Sequence, residues 1–108
     1  MVPPMNKPRT LLLVEDEVLI AMEEARLLED EGYDVLMAHS GKAAIKTAAE
    51  NRGRIDLILM DIDLGSGMDG TEAAREILRE HDIPVVFLSS HTEPDIVERT
   101  EKITSYGY

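Results

Sequence analysis

From Thr10 onward the chain alternates two hydrophobic rhythms. Short runs that are apolar at every position (11–14, 35–38, 57–60 and 85–88) are separated by longer segments in which apolar residues recur every three or four places. The runs predict strands buried on both faces, and the segments predict helices with one apolar stripe. In the first helix Val18, Ala21, Met22, Ala25 and Leu28 are expected to form the inward stripe, with Glu23, Glu24, Arg26 and Glu29 elsewhere and Gly32 as the C-terminal stop. In the second, Ser40 is the expected N-cap and Ala44, Ile45 and Ala48 the stripe. In the third, Asp69 caps while Glu72 reaches back, ahead of a stripe at Ala74, Ile77 and Leu78. A fourth is expected from about Glu93, with Thr92 as cap, Pro94 in the first turn and Ile96, Thr100 and Ile103 inside.

Strand then helix, four times over, predicts an α/β fold: a doubly wound parallel sheet with helices on both faces. Residues 1–9 hold three of the five prolines and read as an extended N-terminal arm. The domain is expected over residues 10–108. Ser105-Tyr106-Gly107-Tyr108 reads as the beginning of a fifth strand with no helix after it, so the domain is expected to be incomplete at its C-terminal end.

Composition narrows the function classes. The 108 residues carry a formal net charge of −11 and contain no cysteine. That charge repels nucleic-acid backbones and anionic lipid and is compatible with cation binding. The absence of cysteine excludes disulfides, a thiolate nucleophile and finger-type zinc sites, and it suits a reducing cytoplasm. No apolar stretch approaches the length of a membrane span, and residues 1–5 lack the charged-then-apolar order of a secretion signal. A cytoplasmic protein with neither a nucleic-acid nor a membrane role for this domain is the expectation.

In open α/β sheets the site lies at the carboxyl ends of the strands. Here those positions are acidic and hydroxylic: Glu15, Asp16 and Glu17 after the first run, Asp61 and Asp63 after the third, and Ser89, Ser90 and His91 after the fourth. The first and third strands lie side by side where the strand order reverses, so Glu15, Asp16 and Asp61 are expected in one crevice. Carboxylates that close cannot all ionise without a cation or raised pKa values. Mg2+ fits such a site because it takes one or two protein carboxylates, keeps waters and leaves a position for a phosphoryl oxygen. With a hydroxyl opposite, the site suits receipt of a phosphoryl group. Asp61, at the tip of an all-apolar strand, is the best-placed nucleophile, and Asp16 the better direct metal ligand.

The segments Leu12-Leu13-Val14-Glu15-Asp16-Glu17, Leu57-Ile58-Leu59-Met60-Asp61-Ile62, Gly67-Met68-Asp69-Gly70 and Ile83-Pro84-Val85-Val86-Phe87-Leu88-Ser89-Ser90-His91 resemble the receiver domain of two-component response regulators, in order and with natural spacing from about Thr10 to Tyr108. The resemblance implies a flavodoxin-like (βα)5 topology, strand order 2-1-3-4-5, with the last strand and helix truncated. It implies that Asp61 accepts phosphate from a phosphohistidine of a sensor histidine kinase. It further implies Mg2+ held by Asp16, Asp61 and the backbone carbonyl of Asp63, with Glu15 reaching the ion through water, Ser89 as switch hydroxyl and Tyr108 as switch aromatic. Such a domain catalyses only its own phosphorylation and dephosphorylation. Its signal passes through the face of the fourth helix and fifth strand, to an output domain or a second copy. The lysine that the family carries at the end of the fifth strand would lie about three residues beyond Tyr108.

Three competing readings bear on the same residues. A degenerate receiver acting as a phosphorylation-independent binding module would be expected to lack Mg2+ affinity. A haloacid-dehalogenase-type phosphatase fragment would use Asp61 and Asp63 as nucleophile and acid/base, but it needs a downstream acidic pair that is missing after Leu88, where Lys102 and scattered acids stand. Gly65-Ser66-Gly67-Met68-Asp69-Gly70 spells G-x-G-x-x-G, but Asp61 to Leu64 separate it from the strand and their acids oppose a pyrophosphate. The other candidates read as scaffold or solvent-facing groups: His39 and His81 at the surface, Tyr33 as packing, and His91 as a loop residue or a modulator of water access.

Overall fold

The computed structural model describes residues 8–65 and 67–88. The elements follow in the order β1 (Thr10–Val14), α1 (Val18–Asp30), β2 (Asp34–Ala38), α2 (Gly41–Glu50), β3 (Leu57–Asp61), α3 (Gly70–Glu80) and β4 (Val85–Leu88). All strand pairs are parallel, in the order β2-β1-β3-β4. The expected fourth helix, fifth strand and most of the N-terminal arm lie outside the described residues, as do Ser89, His91 and Tyr108.

The central strand β1 is buried along Leu11, Leu12, Leu13 and Val14 because its alternating side chains meet a different layer on each face. Leu12 and Val14 join Ile58, Met60 and Val85 beneath α2 and α3, whereas Leu13 joins Ala21 and Ala25 of α1, with Leu59, Val35 and Leu88 packed alongside. The helices approach the sheet through small residues, Ala44 and Ala48 on α2 and Ala73 and Ala74 on α3. Helices on both faces and a strand order that reverses between β1 and β3 make a flavodoxin-like α/β fold.

Local signals act as the sequence implies. Ser40 Oγ accepts from the Ala43 N–H at 3.0 Å and starts α2. On α3 the capping is reciprocal: Asp69 Oδ1 accepts from the Glu72 N–H at 2.9 Å, and Glu72 Oε1 accepts from the Asp69 N–H at 3.0 Å. Helix α1 ends in a Schellman motif, with Tyr33 N–H donating to the Leu28 carbonyl and Gly32 N–H to that of Glu29. Gly32 sits there at φ +102, a conformation costly for any residue with a Cβ.

The expected stripe of α1 needs correction. Val18 and Met22 are 49% and 53% exposed, and Glu24, expected outside, is half-buried in line with Ala21, Ala25 and Leu28. The helix has more apolar residues than one stripe can use, since Leu19, Ile20 and Leu27 are exposed as well. Close approach to the sheet favours the face bearing two alanines over the one bearing bulkier side chains. Glu24 is carried inward by that choice, and burial raises its pKa, with Asp61 adding repulsion.

Candidate functional site

Parallel strands end together, so the residues after β1 and at the tip of β3 share one rim of the sheet. β1 pairs with β3 through Val14 and Met60, which places Glu15 and Asp16 beside Asp61. The carboxylate oxygens of Glu15, Asp16 and Asp61 lie within 4.8 Å of one another. The expected convergence of these three acids is therefore what the fold produces. Glu15 is buried, Asp16 and Asp61 are half-buried and Asp63 is exposed.

Backbone groups hold the cluster in shape. Glu15 Oε2 accepts from the Glu17 N–H and Asp61 Oδ1 from the Asp63 N–H, each at 3.2 Å, and Asp63 Oδ1 accepts in turn from the Gly65 N–H. The chain then turns through Gly65 and Gly67 at φ +76 and +89. A Cβ on Gly65 would stand 3.1 Å from Asp16 Oδ2. Gly65 thus serves a close turn beside Asp16, which accounts for this glycine of the apparent dinucleotide fingerprint without a nucleotide.

The electrostatics are those of three like charges with too little solvent. Burial first, then the Asp61 charge, pushes the Glu15 carboxyl up to about 7, against the lowering effect of the Glu17 N–H. Asp61 is also raised, by burial and then by the Asp16 and Asp63 charges, although the Asp63 N–H opposes the shift. The two titrate as a pair. A hard divalent cation relieves the same repulsion, and an all-oxygen donor set of this size fits Mg2+.

This has a consequence for stability. A carboxyl whose pKa is higher folded than unfolded contributes stability in its protonated form, present below about pH 4.5 and lost as pH rises through about 7. In a chelator, wild type should lose stability relative to Glu15→Gln across that interval, by up to about 3 kcal/mol. Millimolar Mg2+ should reverse the difference above pH 7, because a cation held among these carboxylates favours the ionised form of Glu15 that the fold otherwise disfavours. Urea titrations of both proteins at several pH values measure it, and parallel curves in chelator would contradict the assignment.

Sequence reasoning missed two residues that shape this rim. His39 Nδ1 lies 3.0 Å from the Glu15 backbone carbonyl, and Gly70 lets α3 start directly against the Asp61 backbone. His39 is exposed, as expected, yet it is bonded; a lone histidine in a loop carries no signal of its partner. Gly70 stands in the glycine pattern and in the Gly67-Met68-Asp69-Gly70 segment of the resemblance, and neither carries a signal of its contact with the Asp61 backbone.

The response regulator receiver domain model matches residues 11–108. The transcriptional regulatory protein PdtaR of Mycobacterium tuberculosis is 35% identical over 102 residues, which cover 94% of this chain and 48% of that protein. The sensor kinase CckA of Brucella abortus is 33% identical over 100 residues, 92% of this chain and 10% of the kinase. Among solved structures, the N-terminal domain of a response regulator/sensory box/GGDEF three-domain protein from Carboxydothermus hydrogenoformans superposes with a TM-score of 0.77 at 42% identity, covering 87% of this chain and 74% of that one. The chain spans about half the length of PdtaR and a tenth of CckA. No helix among the described residues is long and apolar enough to cross a membrane. With the acid-rimmed parallel sheet and a match across nearly its whole length, the chain belongs to the response regulator receiver domain family.

Proposed function

We propose that Asp61 is the phosphoacceptor of a two-component receiver and that Glu15, Asp16 and Asp61 form its Mg2+ site. The observation that carries this reading is the mutual approach of three carboxylates within 4.8 Å at the tips of β1 and β3. An oxygen of Asp61 attacks the phosphorus of a phosphohistidine, the new O–P bond forms as the N–P bond breaks, and the imidazole leaves with the bonding pair. Mg2+, when bound, offsets the charge of the transferring oxygens. Asp16, Asp61 and the Asp63 carbonyl would hold the ion directly, and Glu15 would act through water.

The chain's own groups have distinct tasks. The Asp63 N–H fixes the Asp61 carboxylate and favours its ionised, nucleophilic form against the raising effect of burial. Asp69, by capping α3, fixes the start of the helix whose first residue packs against the Asp61 backbone. Ser89 is proposed as the hydroxyl that meets the transferred group and Tyr108 as the aromatic that responds. The partners are a sensor histidine kinase and, through the fourth-helix and fifth-strand face, an output domain or a second copy. The domain is placed in the cytoplasm, and its only catalysis is of its own phosphorylation and dephosphorylation. Residues 10–108 are taken as the receiver and residues 1–9 as an arm.

Intact mass after incubation with acetyl phosphate tests the reading. The expected result is a gain of one phosphoryl group that requires Mg2+ and disappears in a chelator. No gain here, with a gain in a longer chain extending past Tyr108, would place the missing chemistry in that extension. No gain in either would favour a phosphorylation-independent binding module.

A further inference from the structure

His39 follows β2 directly, and its Nδ1 lies 3.0 Å from the backbone carbonyl oxygen of Glu15. A carbonyl only accepts, so Nδ1 carries the hydrogen and donates it. The β1–β2 ladder is ending at this point. The Glu15 N–H donates to the Ala38 carbonyl at 3.0 Å, and by Ser40 the chain has left the strand to cap α2. The Glu15 carbonyl therefore receives from a side chain the bond that a longer β2 would supply from its backbone.

We propose that His39 is a positioning residue for the acid cluster: through the Glu15 carbonyl it sets the peptide plane between Glu15 and Asp16, and with it the directions of both carboxylates. The inference rests on the reading of these acids as an ion site. A peptide unit is planar, so fixing its oxygen fixes the line from one Cα to the next. Glu15 hangs from the first Cα and Asp16 from the second. With the Glu15 N–H held by Ala38 at the end of β2 and its carbonyl by His39 just after it, both backbone polar groups of Glu15 are fixed by that neighbouring segment. Partners that orient metal ligands in this indirect way affect affinity roughly tenfold or more. His39 is itself exposed and belongs to neither core cluster, so its removal subtracts little packing.

The test compares His39→Ala with His39→Asn, because the Asn Nδ2 stands as far from Cβ as the His Nδ1 and can donate to the same carbonyl. Two quantities are read: the Mg2+ dissociation constant by calorimetry, and the 15N amide resonance of Asp16 in the metal-free protein. His39→Ala is expected to weaken Mg2+ binding by roughly tenfold and to move the Asp16 resonance, whereas Asn restores both to near wild type. A merely structural role would lower both variants together. The proposal is overturned if Ala leaves the Asp16 amide in place, or if Asn is as impaired as Ala. Should wild type take up no Mg2+, the ion-site reading fails by itself, and the amide resonances still decide whether His39 sets the Glu15–Asp16 peptide.

Discussion

Asp61→Asn is expected to abolish phosphoryl uptake, by more than about a thousandfold, because the amide has no anionic oxygen to attack phosphorus. Its fold should survive. Asn keeps the volume, and its Oδ1 can still accept from the Asp63 N–H that now meets Asp61 Oδ1 at 3.2 Å. The metal-free variant should in fact be the more stable protein. Asp61 is raised in pKa by burial and by the Asp16 and Asp63 charges, so its ionised form is disfavoured in the fold at neutral pH. Removing that charge should raise the melting temperature in chelator by about 2–5 °C. It should also shrink the further rise on adding Mg2+, since one of the three converging carboxylates is gone. Intact mass with acetyl phosphate and thermal melts with and without Mg2+ measure both effects. Retained phosphorylation would move the acceptor elsewhere, and a less stable apo variant would contradict the repulsion inferred at the site.

The legible parts of this protein are those in which one residue's chemistry acts alone or in a regular period. Four all-apolar runs mark the four strands among the described residues, and the Ser40 and Asp69 caps mark two helix starts within a residue. The acid cluster was legible for a similar reason: a strand tip fixes where its next residue stands, so Glu15, Asp16 and Asp61 follow from adjacency of β1 and β3. What escaped depends on distances between elements. The inward face of α1 was misjudged because apolar period alone cannot weigh two alanines, which permit a close helix–sheet approach, against a valine and a methionine that do not. The carboxyl of Glu24 goes inward with that face, against its own polarity. His39 escaped because its partner is a backbone carbonyl 24 residues away.

Gly70→Ala should be the most damaging of the small substitutions, although Ala is the better helix former by about 1 kcal/mol. Gly70 opens α3, and its N–H donates to the Ile62 carbonyl at 2.9 Å, which draws the helix start against the end of β3. A Cβ there would stand 2.9 Å from Ile62 Cα and collide with the Asp61 backbone carbonyl. Neither obstacle is a side chain that can rotate away; both are backbone at the rim of the sheet. The start of α3 must move out or the tip of β3 must move in, and the net cost is expected to be about 2 kcal/mol, a fall in melting temperature on the order of 10 °C. Because the backbone displaced is that of Asp61, phosphoryl uptake should fall even at temperatures where the variant is fully folded. Gly53→Ala is the control: that glycine has a positive φ of +81 but open space around it, so the change should cost stability through strain while leaving phosphorylation intact. Urea unfolding and the rate of mass gain separate the cases. If Gly70→Ala matched Gly53→Ala in phosphorylation rate, the close contact between α3 and the Asp61 backbone would have no part in placing the acceptor.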